Sequence, residues 1–463
     1  MRIRTAGLAL ALGLLAVAAP LAGQAKPVEL SPAAMRAVGM RALAAGYAAD
    51  AHNIALALLG RDPKDVTALL IRSRAARDLG HYDEARAAAR KAWRYAETAP
   101  ERYAAARVRA QALSSAGNRT LAQLWLRRAV ENAPDERARA LAVRDYRYVR
   151  SRNPWALHFS LSLSPSSNVN NGSSSSTSLA ELPWLPYGPV TIELGTDAQA
   201  LSGYVGQLGF AAVYRLPPSE RVRTEFHFSG SYRHNWLSAR AKAAAPMAKG
   251  SDYDFGAFEI GIRQEFRRSV KSLSIYHWTG TLGRNWYGGA VLSDYARLGL
   301  GAEHPLAPQL KALWDVSYEH QDRYDMTSRS ADVMTGEIGL DWGLANRDRM
   351  RLSFGARDTR AAEAEIDNRA VFADLTWSKA KPVRGIALGL QLSAERRRYG
   401  PYSWAPNGRR DVTLSAGLTM VFTRVSYMGF SPSLDVSYSR TASNVGLYRS
   451  SQAGLLLGFR SQF

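Results

Sequence analysis

From Trp155 onward, apolar and polar side chains alternate with a period of two. Trp155, Leu157, Phe159, Leu161 and Leu163 interleave with His158, Ser160, Ser162 and Ser164. The same beat recurs over 222–233, 310–319 and 412–420. Period two marks strands with one face toward an apolar medium and the other toward a polar one. About fourteen such segments occur, the scale of a membrane barrel. They begin near Trp155, Tyr204, Val222, Phe258, Tyr276, Ala296, Leu310, Ile338, Met350, Val371, Ile386, Val412, Pro432 and Ala453. Each has about 22 residues with its connection, enough for a spanning strand of roughly ten residues and a turn or loop. Short links at 217–219, 345–347 and 423–424 alternate with long ones at 165–199, 234–251, 320–331, 358–367, 397–409 and 440–451. This alternation predicts an antiparallel transmembrane β-barrel with short turns at one end and loops at the other. Trp155, Tyr204, Tyr232, Trp278, Trp342, Trp377 and Tyr438 stand near strand ends, where interface girdles belong.

The preceding residues, 26–152, have a different texture: rich in alanine, leucine and arginine, poor in glycine, with no alternation. Aligned on Gly46, Gly80 and Gly117, three segments repeat. Alanine follows five residues later in each (Ala51, Ala85, Ala122), then Leu58, Ala92 and Ala129 seven further on. Pro63, Pro100 and Pro134 close the units. The glycine spacings of 34 and 37 match the tetratricopeptide period and predict helix, turn, helix in each unit. Small residues at the repeated alanines let the second helix approach the first. Such solenoids bind extended segments on a concave face. The register places Arg36, Arg74, Arg77, Arg107 and Gln111 on the inner helix faces, a candidate groove for an acidic peptide partner.

The first 25 residues combine the basic start Met1-Arg-Ile-Arg4, the apolar run 6–19 and small residues before a cleavage point after Ala25. This is the pattern of a secretory signal peptide, too short in its apolar run for a spanning helix. The chain of 463 residues carries a net charge of +20, and roughly half of it lies in the helical part. Such charge invites a nucleic-acid reading, which export excludes. The chain has no cysteine, which removes disulfides, thiol nucleophiles, cysteine-ligated metals and a lipid-bearing cysteine of its own. No metal-ligand spacing, His-Glu-x-x-His or Gly-x-Ser-x-Gly occurs, and the histidines are scattered along polar strand faces. The expectation is a protein without catalysis, metal or cofactor.

At the junction of the two parts stands Asn153-Pro154-Trp155, and ten residues later Pro165-Ser-Ser167-Asn168-Val-Asn170. The arrangement of tetratricopeptide-like repeats, this junction and a barrel resembles the surface lipoprotein assembly modulator family. The last strand, with Phe459 and Phe463, resembles the signal that outer-membrane proteins present to the barrel-assembly machinery. The resemblance implies an outer-membrane translocation factor that captures a periplasmic cargo protein, a lipoprotein or related secreted protein, and delivers it to the cell surface. Its partners would be the outer-membrane bilayer with lipopolysaccharide, the assembly machinery and the cargo. An even strand number leaves the helical domain, 26–152, in the periplasm and the barrel, 153–463, in the outer membrane of a Gram-negative cell. An exopolysaccharide-export barrel on a repeat scaffold and a simple diffusion porin are the alternatives.

Overall fold

Three glycines set the helical region. In the structure, a computed structural model describing residues 29–180, 190–402 and 405–463, Gly46, Gly80 and Gly117 adopt φ of +87°, +83° and +85°. Each follows a helix whose orphan carbonyls are closed behind it: Tyr47 N–H donates to the Ala42 carbonyl (2.9 Å), His81 to Ala76 (2.8 Å) and Asn118 to Leu113 (2.8 Å). A left-handed residue is what that closure needs, and glycine adopts it without strain. The signal-peptide segment lies outside the described residues.

The helices are α1 (Pro32–Ala44), α2 (Ala48–Arg61), α3 (Val66–Asp78), α4 (Tyr82–Tyr95), α5 (Ala99–Ser115), α6 (Arg119–Glu131) and α7 (Glu136–Arg152). They form three glycine-jointed antiparallel pairs and one closing helix. Ala51, Ala85 and Ala122, at the expected repeat positions, are fully buried, as are Ala92 and Ala129. The cores are therefore close-packed on alanine, with Trp125, Leu126, Tyr146 and Val149 filling the space beneath α7. Asp65, Thr98 and Asp135 cap α3, α5 and α7 with their side-chain oxygens.

Two residues separate α7 from the first strand. The strands are β1 (Trp155–Ser166), β2 (Thr177–Ala180), β3 (Val190–Glu193), β4 (Gly203–Arg215), β5 (Val222–Leu237), β6 (Phe255–Phe266), β7 (Ile275–Tyr287) and β8 (Ala290–Ala307). They continue with β9 (Leu310–Arg323), β10 (Ala331–Gly343), β11 (Arg349–Ala361), β12 (Asn368–Ser378), β13 (Ile386–Tyr399), β14 (Arg410–Phe422), β15 (Phe430–Ser443) and β16 (Ser450–Ser461). Among the described residues, fourteen of them close an antiparallel barrel, each paired with its neighbour in sequence and β1 with β16; β2 and β3 form a separate hairpin in the first loop. Each alternating segment falls in its own barrel strand. Alternation is so legible here because the outward positions meet lipid and the inward ones meet polar groups. Phe159, Leu298, Ile338 and Phe354, for example, stand on the outer wall.

The connections differ in length from expectation. Residues 320–323, 331, 358–361, 440–443 and 450–451 of the expected loops are strand, because β9, β10, β11, β15 and β16 run past the apolar band. There both faces turn polar and the alternation fades. β7 and β8 meet in a two-residue turn, Gly288-Gly289, with φ of +57° and +86°, the conformation of a tight hairpin. Of the other connections on that side, opposite the helical domain, 167–202, 238–254 and 400–409 are long, whereas 324–330, 362–367 and 444–449 are no longer than the turns 267–274, 379–385 and 423–429 at the helical end.

Candidate functional site

The five side chains placed on the inner helix faces all lie on the first helices of their pairs. Arg36 is held by Asp65, the α3 cap, at 2.8 Å, and so ties α1 to α3. Arg77 donates to Asp78 (2.6 Å) and to the Gln111 amide oxygen (3.1 Å). Arg107 pairs with Asp145 of α7 at 2.8 Å. Among the described residues Arg74 has no ion-pair partner; burial first, then the charges of Arg77 and Arg107, push its guanidinium below the usual value against the pull of Asp78. The structure thus gathers Arg74, Arg77, Arg107 and Gln111 into one strip. Much of its charge is neutralised within the fold.

A second basic surface escaped the repeat register. Arg90, Trp93 and Arg94 of α4 and Arg102 and Arg109 of α5 line a cleft of about 500 Å³. Arg109 lies 3.8 Å over the Trp125 ring, and Arg128 lies 4.3 Å from it. Trp93 meets Trp125 edge-to-face at 4.9 Å. Burial, then the charges of Arg90 and Arg128, lower the Arg109 pKa. The helical-domain ion pairs among the described residues involve other arginines. The available signal was two tryptophans in a polar helical region, Trp93 followed at once by Arg94 and Trp125 followed two residues on by Arg127-Arg128.

The third feature is the barrel seam. β4 pairs with β1 at every residue of β1. β16 pairs with β1 only at Leu163–Leu457 and Ser166–Gly454 among the described residues. The unladdered stretch lies toward the helical domain and is flanked by Phe159, Leu161 and Phe459, each more than 70% exposed. Unpaired strand edges are what a closed barrel otherwise removes.

The helical domain holds both strands of this seam from below. Asn153, 4% exposed, donates to Thr120 Oγ1 (3.0 Å) and accepts from the Trp155 N–H (3.3 Å), fixing the start of β1. Arg127 of α6, 8% exposed, donates to Ser461 Oγ (2.8 Å), to the Met428 carbonyl (3.1 Å) and to the Phe463 carbonyl (3.3 Å). Its guanidinium also lies 4.2 Å from the Phe430 ring and 4.9 Å from that of Phe463. The Met428 N–H donates to Glu131 (2.8 Å). Phe463 lies past the end of β16, its ring edge-on to Tyr146 at 5.1 Å, whereas Phe459 faces outward. Beside Pro154, a cleft of about 790 Å³ lined by Arg119, Arg152, Arg215 and Arg223 opens at the foot of β1.

The rest of the junction motif secures the seam's opposite end. Ser167 brackets Ala453 of β16, accepting from its N–H at 3.0 Å. Asn168, 2% exposed, donates to and accepts from Gly172, each at 2.9 Å. Asn170 ties the loop to Gln199 (2.8 Å) and Leu201 (2.9 Å). Pro165 lies in β1 opposite Tyr204.

On the inward faces, carboxylates are paired: Arg297 with Glu319 at 2.7 Å, Arg460 with Asp435 at 2.9 Å, His277 with Asp315 at 2.8 Å. No group of three or more acidic or histidine side chains placed to hold a metal occurs among the described residues.

A closed antiparallel barrel with an aliphatic outer wall and a paired polar interior is an outer-membrane β-barrel protein in class. Residues 248–463 match the model of one family, described as surface lipoprotein assembly modifier, and the resemblance named from the junction holds through a separate stretch of chain. Comparison with curated proteins finds no match. Among solved structures, OccAB3 of Acinetobacter baumannii is 9% identical over 66% of this chain and 98% of its own, with a TM-score of 0.34. A bacterial polysaccharide outer membrane secretin is 10% identical, covering 66% and 98%, at 0.32. CdiB of Acinetobacter baumannii is 10% identical, covering 65% and 59%, at 0.37. These likenesses are too distant to carry an argument about function. The fold is that of an outer-membrane barrel, and the family that 248–463 matches is one of surface lipoprotein assembly.

Proposed function

We propose that this protein moves lipoproteins or related secreted proteins to the cell surface, with its helical domain, 26–152, as the periplasmic receptor and its barrel, 153–463, as the exit. The observation that carries the reading is that one domain grips both edges of a sparsely laddered seam. Cargo bound on the helices is thereby placed where it can bias the seam between shut and open, through Asn153 on one side and Arg127 on the other. An opening in the wall suits a substrate with a lipid anchor, since the acyl chains pass sideways into the bilayer without crossing a polar lumen. The family match supports the substrate class. The strip of Arg74, Arg77, Arg107 and Gln111, with Arg36 at its end, and the Trp93–Trp125 cleft are the candidate contact surfaces for an acidic cargo segment. Phe459 and Phe463 serve recognition by the barrel-assembly machinery.

The chain's lack of cysteine makes the test direct. Leu163→Cys with Leu457→Cys should form a disulfide across the seam, since directly opposed strand residues lie within bridging distance. Under oxidation, surface lipoproteins measured by protease shaving should fall to the level of a deletion strain, and reductant should restore them. Leu298→Cys with Tyr318→Cys, an opposed outward pair inside the barrel wall, serves as control. Full surface display through a locked seam sinks the lateral route. Separately, charge reversal at Arg74, Arg77 and Arg107 should weaken cargo capture with a marked salt dependence, because exposed charge pairs are screened over about 8 Å at physiological ionic strength.

A further inference from the structure

We propose that the outer wall of β11–β15, at the edge away from the helical domain, is a binding site for a phosphorylated, multiply acylated lipid of the outer leaflet. The source, outer rather than inner leaflet, rests on the orientation proposed above.

Register places the charges. Arg369 of β12 lies directly opposite Arg398 of β13, and Arg398 directly opposite Arg410 of β14. One step nearer the helical end, Arg396 lies between Val371 and Val412. A further step down, Arg440 of β15 lies opposite Leu414. All five share the face of Val371, Leu392 and Leu414, the exposed apolar face of the wall. Like charges directly opposite one another destabilise a sheet, so this row needs a counter-charge. The acid that shares the row is Asp358, which already serves Arg369 (3.3 Å) and Arg360 (3.0 Å). Among the described residues, Arg396, Arg398, Arg410 and Arg440 have no ion-pair partner. Arginine presents a planar fork of donors matched to phosphate oxygens.

The depth is right for a headgroup. From the Trp377–Leu390 pair to the Arg369–Arg398 pair is eight residues of β13, about 27 Å along the strand. At the usual strand tilt this is roughly 20 Å of membrane depth, close to the height of a barrel's apolar band. The arginines therefore stand at its edge, where charge on the lipid face ceases to be costly.

Below them the wall is hollowed. Ala373, Ala394 and Ala416 sit among Leu352, Leu375, Leu392, Leu414 and Tyr438, and the small side chains leave a groove of about 500 Å³ that ends at Arg440. Guanidinium groups above an apolar groove match one kind of occupant: phosphates joined to acyl chains. A soluble phosphate would leave the groove empty, and an uncharged lipid would leave the arginines unpaired.

The test uses the full-length protein in dodecyl maltoside, with native mass spectrometry reading retained lipid. Wild type should retain bis-phosphorylated lipid A over both its dephosphorylated form and phosphatidylglycerol. The triple variant Arg396→Gln, Arg398→Gln, Arg410→Gln should bind it about a hundredfold more weakly, on the scale of three arginine contacts at a membrane surface. Unchanged gel heat-modifiability would show that this variant is a folded barrel. Ala394→Leu, which narrows the groove and keeps every charge, should weaken retention of lipid A while leaving inorganic phosphate binding unchanged. Equal retention of all three lipids, or of lipid A by wild type and triple variant, overturns the site. Proteolysis of the helical domain in intact cells would overturn the orientation and the outer-leaflet source, leaving the detergent result to stand or fall by itself.

Discussion

Replacing Arg127 with alanine should release the helical domain from the barrel without unfolding either. The side chain is 8% exposed, so its interactions are little screened by solvent. It makes three hydrogen bonds to barrel residues, to Ser461, Met428 and Phe463, and lies against the Phe430 and Phe463 rings. A charged donor contributes about 1.5–3 kcal/mol per hydrogen bond before the arginine's own desolvation is subtracted, and each ring contact adds about 0.5–1 kcal/mol. A net docking loss of about 3 kcal/mol is a conservative figure, which raises the undocked fraction about 150-fold. Hydrogen exchange on the detergent-solubilised protein should therefore show faster exchange in the 423–429 turn, α6 and the end of β16. The barrel strands β6–β12 should be unaffected. Arg127→Lys keeps the charge and loses the fork, so it should fall between the two. Equal exchange at 423–429 in wild type and Arg127→Ala would refute the clamp, and with it the route by which bound cargo could act on the seam.

Unboiled and boiled samples of the extracted protein should migrate differently in a gel, because a closed barrel with paired backbone groups resists detergent until heated; identical migration would contradict the barrel. Gly80→Ala and Gly117→Ala should each destabilise the helical domain by about 1 kcal/mol, through strain at positive φ with no clash, and lower its melting by about 4 °C in circular dichroism at 222 nm. The Glu84 carboxyl is lowered from its usual value: burial opposes this, but hydrogen bonds from His52 and Arg72 outweigh it. A depressed carboxylate stabilises the fold above its unfolded pKa and loses that contribution as pH falls through the folded one. Glu84→Gln should thus melt earlier than wild type at pH 7, with the gap closing below about pH 4.5; a gap that persists at pH 3 would show that the hydrogen bonds act through geometry and not charge.

What the sequence alone determined here follows from local physics. Alternation from Trp155 onward is imposed residue by residue, because every outward side chain meets hydrocarbon and every inward one meets polar groups. Fourteen strands were therefore legible without knowing which strands touch. The helical repeat was legible because Gly46, Gly80 and Gly117 must adopt a conformation that other residues resist, and Ala51, Ala85 and Ala122 must be small for helices to touch. Three matters were decided only in the tertiary structure, since each depends on residues far apart in the chain. Arg77 and Arg107 looked free by register, but Gln111 of α5 and Asp145 of α7 reach them once the helices stack. Phe463 read as the end of a strand, but its ring belongs to the helical domain, because α6 and α7 carry Arg127 and Tyr146 to that spot. The row of Arg369, Arg398 and Arg410 does not exist in one dimension: it arises when antiparallel register brings three strands level, and so does the sparse ladder between β1 and β16. Local periodicity reports the medium around each residue, whereas register, docking and charge neutralisation are sums over contacts that only the closed barrel and its docked helices bring together.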